Sequence, residues 1–281
     1  MIDAHQHVWQ IGQHDCTWPT PDDKPLYRDF TLDDVLPLAA RCGVQGSVLV
    51  QSQPSDRDTD YLLTLAQQND FVVAVVGWAD LAAANAPQRI RQLAQHKKLR
   101  GLRPMLQGLA DDRWILQPHL APALRTMQEQ GLCFDALIFP RHLPHLYQFA
   151  QTWPDLPLVI DHAAKPPIAQ DEKKSFAAWC DGLARIAKLP WTYCKLSGLL
   201  TEAGAAQGVG ALRPYVEHIF HSFGAQRVMW GSDWPVVCAS PNHAYADYQV
   251  WFDVAQQLIP DHNASVIQQV FSESARAFYR L

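Results

Sequence analysis

Short apolar, β-branched segments alternate along the chain with longer stretches that have helical periodicity. The apolar segments span residues 1–9, 43–52, 71–81, 99–106, 132–139, 156–166, 191–200 and 227–235. This alternation predicts repeated βα units around a parallel sheet. Eight units in 281 residues favour an α/β fold of the (β/α)8 TIM-barrel type over an open doubly wound sheet, which normally carries a glycine-rich phosphate loop after its first strand.

The first helical stretch shows its boundaries most clearly. Thr31 followed by Asp34 resembles a capping box ahead of an apolar series, and Gly43 is a stop signal. Pro37 predicts a kink or a later helix start. The segment 10–30, which follows the first strand and is rich in proline, aspartate and aromatic residues, is interpreted as a loop on the barrel mouth.

Composition narrows the class of protein. No repeat or linker-like stretch divides the chain, so we expect a single domain over residues 1–281. A formal net charge of −5 offers no basic surface for nucleic acid. The six scattered cysteines indicate reduced thiols, and neither a leader pattern nor an apolar run of membrane length is visible, so we expect a cytoplasmic protein without membrane contact. A homo-oligomer is left open.

Reactive side chains gather near the C-terminal ends of the predicted strands, where barrels of this kind place their active sites. They are His5, His7, Trp78, Asp80, Arg103, Asp135, His162, Lys165, Lys195, Asp233 and Trp234. Because these residues come from so many separate strands, a catalytic barrel is favoured over a purely binding one.

His5 and His7 stand one residue apart on the first strand. Alternate side chains of a strand share a face, so both rings can converge on one ion or substrate. Imidazole serves as a metal ligand and as an acid or base near neutral pH. An HxH motif can also arise by chance in a chain with 12 histidines.

His162 and Asp233 each have a structural alternative. His162 could be a satisfied core or loop histidine, although it follows an apolar run at the point where strand meets loop. Asp233 could fix a turn or cap a helix. Their coincidence with His5 and His7 at other strand ends favours function for both residues.

The remaining polar candidates are less clearly functional. Strand alternation allows only one of Arg100 and Arg103 to face inward, and we favour Arg103. Asp135 on an apolar strand must be hydrogen-bonded or functional, and a pairing with Lys195 or Lys165 would explain it structurally. The tryptophans Trp78, Trp230 and Trp234 are more often core residues, with Trp234 the best exception.

Seven stretches together resemble the amidohydrolase superfamily, and within it the amidohydrolase-related (amidohydrolase 2) group that contains sugar lactonases. They are DAHQHVW (3–9), GWADL (77–81), RGLRPMLQ (100–107), GLCFD (131–135), DHAAKP (161–166), CKLSGLLTEA (194–203) and GSDWPV (231–236). HxH with a late aspartate specifies only the superfamily, whereas HxxKP, CKLSG and GSDWP point to the lactonase group. The resemblance implies an amidohydrolase-like barrel.

The chain departs from the binuclear metal sites of the wider superfamily. Those sites resemble HxH plus a lysine or glutamate on strand four and a histidine on strand five, where this chain has Arg103, Phe134 and Asp135. We therefore expect no binuclear site. The resemblance leaves a single divalent ion, zinc or manganese, or a metal-free site, formed by His5, His7, His162 and Asp233.

The resemblance implies a hydrolase that opens a sugar-derived lactone such as L-fuconolactone or L-rhamnonolactone, a role in carbohydrate catabolism. Asp233 would be the base for the attacking water, and His162, His5 and His7 would polarise the carbonyl. The expected substrate-binding residues are Arg103, Lys165, Trp234, Trp78 and Asp135. The alternatives are a metal-dependent non-oxidative decarboxylase of an aromatic or unsaturated acid, and a lactonase for a dicarboxylated or aromatic-derived lactone.

Overall fold

Eight parallel strands form the centre of the computed structural model, which describes residues 1–170, 172–260 and 263–281. They are β1 (Ile2–Gln6), β2 (Gly46–Val50), β3 (Val72–Gly77), β4 (Leu99–Leu102), β5 (Cys133–Ala136), β6 (Leu158–Ile160), β7 (Thr192–Leu196) and β8 (Val228–Trp230). Each strand pairs with the next along the chain, and a parallel bridge between Gln6 and Trp234 joins the two ends. The predicted (β/α)8 barrel is confirmed, with each strand inside a predicted segment.

Helices follow the strands on the outside of the barrel. They are α1 (Leu32–Arg41), α2 (Asp56–Gln68), α3 (Ala86–Leu93), α4 (Ala121–Glu129), α5 (Leu143–Thr152), α6 (Lys173–Ala187), α7 (Leu199–Glu202), α8 (Arg213–Phe223), α9 (Tyr248–Leu258), α10 (Ala264–Gln268) and α11 (Ser274–Tyr279). A π-helical turn, Gln269–Glu273, joins the last two. Among the described residues, no helix is long and apolar enough to cross a membrane.

The start of α1 shows how a cap outweighs a proline. The Asp34 carboxylate accepts hydrogen bonds from the Thr31 backbone N–H at 2.8 Å and from its hydroxyl at 2.9 Å. Leu32 and Val35 are buried in the first turn. The helix begins at Leu32, so of the two alternatives for Pro37 the later start is wrong, because the capping bonds and the buried first turn outweigh the cost of an interior proline.

Two apolar clusters hold the barrel together. The larger lies between the strands and the surrounding helices, and the smaller fills the barrel interior with side chains such as Ala4, Val50 and Val159. Phe278 and Tyr279 at the end of α11 belong to the inner cluster. They cover the interior at the N-terminal end of the barrel, and a cavity opens at the C-terminal ends of the strands.

Candidate active site

His5 in β1 and His7 directly after it both point into the barrel interior, and His5 does so because the strand is irregular. The pairing of β1 with β2 shifts register between Asp3 and Gln6, which is the mark of a bulge. Strict alternation would send Ala4 and His5 to opposite faces. Instead Ala4 belongs to the inner cluster, and the His5 ring contacts the buried Lys195 at 3.1 Å.

His162 enters the site from a left-handed turn. Residues 162–165 all have φ between +49° and +61°, a conformation that costs non-glycine residues free energy. Gly198 leaves room for the His162 ring in this position, because a Cβ on Gly198 would lie 2.6 Å from His162 Nδ1. The hydroxyl of Ser197 lies 2.8 Å from the same nitrogen and orients the ring.

Asp233 lies where the barrel closes. Its φ of +55° is also left-handed. Its backbone N–H donates to the carbonyl of His5 at 2.8 Å, which ties the end of β8 to β1. Its Oδ1 atom lies 3.5 Å from His7 Nε2, 3.7 Å from His5 Nε2 and 3.8 Å from His162 Nε2. The four residues predicted from separate strand ends are therefore brought together.

Three of these residues fit a single divalent cation. Among the described residues, donor atoms of His5, His7 and Asp233 all lie within 4.8 Å of one another, and the two imidazole Nε2 atoms are 3.1 Å apart. Tetrahedral zinc with bonds of about 2.0–2.1 Å places its ligands about 3.3 Å apart. His7 Nδ1 faces the Val50 carbonyl at 2.8 Å and so carries the ring proton, which leaves Nε2 free as a ligand.

Burial controls the charge of the cluster. It lowers the pKa of His162 to about 4, and it lowers the pKa values of His5 and His7 as well, so the three rings are neutral near pH 7. Burial alone would raise the pKa of Asp233, but interactions with His162 and His7 bring it below the ordinary range. The cluster is a carboxylate among neutral imidazoles.

Arg103 brings positive charge to the cavity. As predicted, it faces inward and is 2% exposed, whereas Arg100 on the other face is partly exposed. Its guanidinium contacts His5 Nε2 at 3.4 Å and Asp161 at 3.3 Å, and it donates to the carbonyl of Gln51. Its buried Nε has no hydrogen-bond partner among the described residues, and the side chain lines the cavity.

Asp161 is a buried acidic residue in contact with the site that the sequence interpretation did not single out. It is fully buried, with Oδ1 at 2.9 Å from Lys195 Nζ and 3.4 Å from His5 Nδ1. Burial opposes its ionisation, but Lys195 and His5 hold its pKa well below the ordinary value. The available signal was an ionisable residue directly after an apolar strand and directly before His162.

A cavity of about 350 Å³ opens above the cluster and is lined by His7, Arg103, His162, Lys165 and Asp233. This volume lies in the usual range for small-molecule sites. Other lining residues that the sequence analysis did not single out are Thr17, Trp18, Ser52, Gln53, Met105, Gln107, Leu137, Thr201 and Val236. The mouth position of the 10–30 segment is confirmed by Thr17 and Trp18.

Gln53 holds this segment over the site. Its Oε1 accepts hydrogen bonds from the backbone N–H groups of Thr17 and Trp18 at 3.1 and 3.3 Å, and its Nε2 donates to the Trp18 carbonyl at 2.7 Å. A single side chain thus supplies hydrogen-bond partners to three backbone groups of the loop. The loop therefore forms one wall of the cavity.

Three residues expected to bind substrate lie away from the cavity lining. Trp78 directly follows β3, and its backbone bonds to Thr59. Trp234 is buried and packs edge-on against Phe30. Asp135 lies deeper in the barrel, 2.6 Å from Lys195, which is the structural pairing considered for it. Strand ends predict proximity to the mouth but not the direction of each side chain.

Comparisons with known proteins agree with this geometry. The amidohydrolase family model matches residues 2–281. The L-fucono-1,5-lactonase of Burkholderia ambifaria is 47% identical, covering 100% of this chain and 95% of that protein. The L-fucono-1,5-lactonase of Burkholderia multivorans is 35% identical over 84% of this chain and 82% of that protein. A crystal structure of a Burkholderia multivorans amidohydrolase with bound zinc is 31% identical and superposes with a TM-score of 0.92, covering 100% of this chain and 99% of that one. This chain belongs to the amidohydrolase family.

Proposed function

We propose that this protein is a lactonase that hydrolyses a neutral sugar-derived lactone, with L-fucono-1,5-lactone as the leading candidate. The single observation that carries the proposal is the convergence of Asp233, His7, His162 and Arg103 on one cavity, with His5 buried against Asp233 and Arg103. The names of the two curated relatives supply the substrate class. Opening a lactone needs an attacking water, a base for its proton and a donor for the developing oxyanion, and the cluster contains a group for each task.

Asp233 takes the role of base. Its carboxylate lies at the floor of the cavity, where it can accept a proton from a water that attacks the lactone carbonyl. The same carboxyl group then returns the proton to the ring oxygen as the carbon–oxygen bond breaks. Water adds across that bond, and the product is the open hydroxy acid.

His162 and Arg103 stabilise the oxyanion. When the Ser197 hydroxyl donates to His162 Nδ1, the ring proton lies on Nε2 and can be donated to the carbonyl oxygen. The Arg103 guanidinium, which lines the cavity, provides a second donor from another strand end. Both groups are positioned by buried contacts before a substrate binds, so little reorganisation accompanies the reaction.

One divalent cation, zinc in our proposal, would be held by His5, His7 and Asp233. When bound it would act as a Lewis acid on the carbonyl oxygen or on the attacking water. His162, which the sequence analysis grouped with these ligands, serves instead as a hydrogen-bond donor. The zinc-bound relative supports this choice of metal.

The cavity walls suit a partly apolar sugar. Met105, Leu137 and Val236 provide apolar surface, while Gln107 and Lys165 provide polar groups at other points of the wall. A 6-deoxy sugar lactone presents a methyl group together with several hydroxyls, and it can satisfy both kinds of surface. The two lactonase relatives favour ring opening over the decarboxylation considered from the sequence.

The substrate class is tested by a pH-indicator screen of aldonolactones, run with and without a chelator. We expect acid release from L-fucono-1,5-lactone and weaker activity with lactones of other configuration. Metal analysis of the purified protein, and titration of zinc into chelated protein, test the metal site independently of turnover. Carbon dioxide release from an aromatic acid, with no lactone opened, would contradict the proposal.

Asp233→Asn tests the base. The substitution keeps the size and shape of the side chain but replaces one carboxylate oxygen with an NH2 donor and removes the base, so kcat should fall by about 10²–10⁴-fold. Steady-state kinetics with the best lactone measure the loss, and circular dichroism checks the fold. Turnover close to that of the wild type would remove Asp233 from this role.

A further inference from the structure

Glu202 lies beside Lys165 at the mouth of the cavity. We infer that Glu202 determines substrate specificity: by neutralising Lys165 it makes the enzyme select uncharged sugar lactones over lactones that carry a carboxylate. This inference rests on the proposed function of the same site. Glu202 thereby separates uncharged lactones from lactones that carry a carboxylate.

Both residues come from loops at the C-terminal ends of the strands. Lys165 ends the left-handed turn after β6, and Glu202 ends α7, which follows β7. The Lys165 Nζ and Glu202 Oε1 atoms are 3.7 Å apart, and the two side chains are 21% and 24% exposed. Lys165 lines the cavity, as does Thr201 next to Glu202. The pair therefore stands where a substituent of the bound lactone would lie.

Two other cations near the cavity are also neutralised. Arg103 contacts Asp161 at 3.3 Å, and the fully buried Lys195 contacts Asp161 and Asp135 at 2.9 and 2.6 Å. Lys165 differs from both in its partial exposure at the mouth. It is therefore the cation best placed to receive an anionic substituent, provided that its own carboxylate partner is removed.

A carboxylate on the substrate meets an unfavourable field in this arrangement. Asp233 carries negative charge in the cavity and Glu202 carries it at the mouth, so a third anion is repelled by both. Lys165 cannot offset that repulsion while it remains paired with Glu202. Rejection of a competing ligand by placed like charge is a common source of specificity.

The test uses two lactones of the same sugar configuration. L-Fucono-1,5-lactone carries a methyl group at carbon 6, and L-galactaro-1,4-lactone carries a carboxylate there. We measure KM for the neutral lactone and the inhibition constant of the carboxylated lactone against its hydrolysis. In Glu202→Gln the ratio of inhibition constant to KM should fall at least about tenfold, because the freed Lys165 then attracts the carboxylate.

Matched variants separate this effect from a general change of charge. Glu129→Gln removes the same charge from an exposed residue of α4, and its ratio should equal that of the wild type. Glu202→Asp keeps the charge and should keep most of the discrimination. In the double variant Lys165→Met/Glu202→Gln the gain should vanish, since no cation is left to receive the carboxylate.

The outcomes separate the role of Glu202 from the proposed lactonase function. A wild-type protein that opens no neutral lactone would refute the proposed function. A wild-type protein that does so, with an unchanged ratio in Glu202→Gln, would refute only the role of Glu202. Should Glu202→Gln fail to fold, Lys165→Met provides a second measurement: the ratio should rise because the mouth becomes more negative, and a constant ratio overturns the inference.

Discussion

Two layers of polar side chains occupy the barrel interior, and they differ in how their hydrogen-bonding capacity is used. In the upper layer His7, His162 and Asp233 line the cavity and are 3–4% exposed. In the lower layer Lys195 and Tyr279 converge on Asp135 at 2.6 Å, with all three fully buried. His7 Nε2 and the Asp233 carboxylate face each other as acceptors, whereas in the lower layer Lys195 and Tyr279 both donate to Asp135 Oδ2.

This difference separates chemistry from support. The lone pair of His7 Nε2 and the carboxylate of Asp233 face each other at 3.5 Å, an arrangement that a proton, a cation or a substrate completes. In the lower layer Asp135 Oδ2 already has two donors, because burial and Asp135 raise the pKa of Tyr279 well above its ordinary value and keep its hydroxyl a donor. Among the described residues, Asp135 Oδ1 has no hydrogen-bond partner. Buried polar residues therefore indicate a reactive site where an incomplete set of partners borders a cavity, as it does at His7 and Asp233 but not at Asp135.

Lys195→Met gives the largest effect that we expect from the lower layer. Removing Lys195 leaves Asp135 without a cationic partner and Asp161 with Arg103 alone, so the free energy of unfolding should fall by about 3–5 kcal/mol. Urea denaturation measures the change. Lys97→Met, at an exposed position of the α3–β4 loop, is the control and should shift stability by less than about 0.5 kcal/mol.

The double variant Asp135→Asn/Lys195→Met tests whether these two residues stabilise the fold as a coupled pair. Neutralising both partners should recover part of the stability lost in the single variant, because no unpaired Asp135 charge remains in the interior. If the two losses simply add, the pair is not a coupled support, and the division into two layers is wrong.

Tyr279→Phe tests the support at the floor of the barrel. The substitution removes one hydrogen bond to the Asp135 carboxylate without opening a cavity, so stability should fall by about 1.5–3 kcal/mol. We expect kcat to change less than about threefold, since Tyr279 lies away from the cavity lining. Calorimetry and steady-state kinetics provide the two readouts, with the exposed Tyr27→Phe as the control. A large loss of kcat in a stable variant would show that the lower layer takes part in catalysis and would contradict the division into two layers.

Ser197→Ala gives the smallest change of free energy that we expect. Unlike Tyr279→Phe, it should lower kcat and leave stability nearly unchanged. The hydroxyl orients the His162 ring, so its loss should lower kcat about tenfold, or about 1.4 kcal/mol in activation free energy, with KM nearly constant. Stability should change by less than about 1 kcal/mol. Ser197→Thr restores a hydroxyl and should recover part of kcat, and Ser265→Ala at an exposed position serves as control. A stability loss equal to that of Tyr279→Phe would count against a positioning role.

The strand ends were the most predictable part of the site. The eight apolar segments bracket the eight strands, and His5, His7, His162 and Asp233 stand at strand ends. Parallel strands of a barrel deliver their C-terminal ends to one face, so local patterns far apart in sequence predicted a common meeting place. The (β/α)8 class follows from the same local information.

Direction and partnership were not predictable in the same way. The β1 bulge, the left-handed turn at His162 and the Gly198 contact each depend on neighbours distant in sequence. Trp78 and Trp234 are at strand ends yet lie away from the cavity lining, and Asp161 and Glu202 have partners that no local pattern marks.

By itself, then, the sequence determined the barrel, the face on which the site lies and the residues that meet there, because hydrophobic periodicity and strand polarity are local properties. Tertiary structure decided which charged residue is paired, which donor remains free and which side chain reaches the cavity. Those outcomes depend on contacts across the barrel, such as Lys195 with Asp135 and Lys165 with Glu202. The energy of a buried charge is set by its partners and its burial, and both exist only once the strands are assembled.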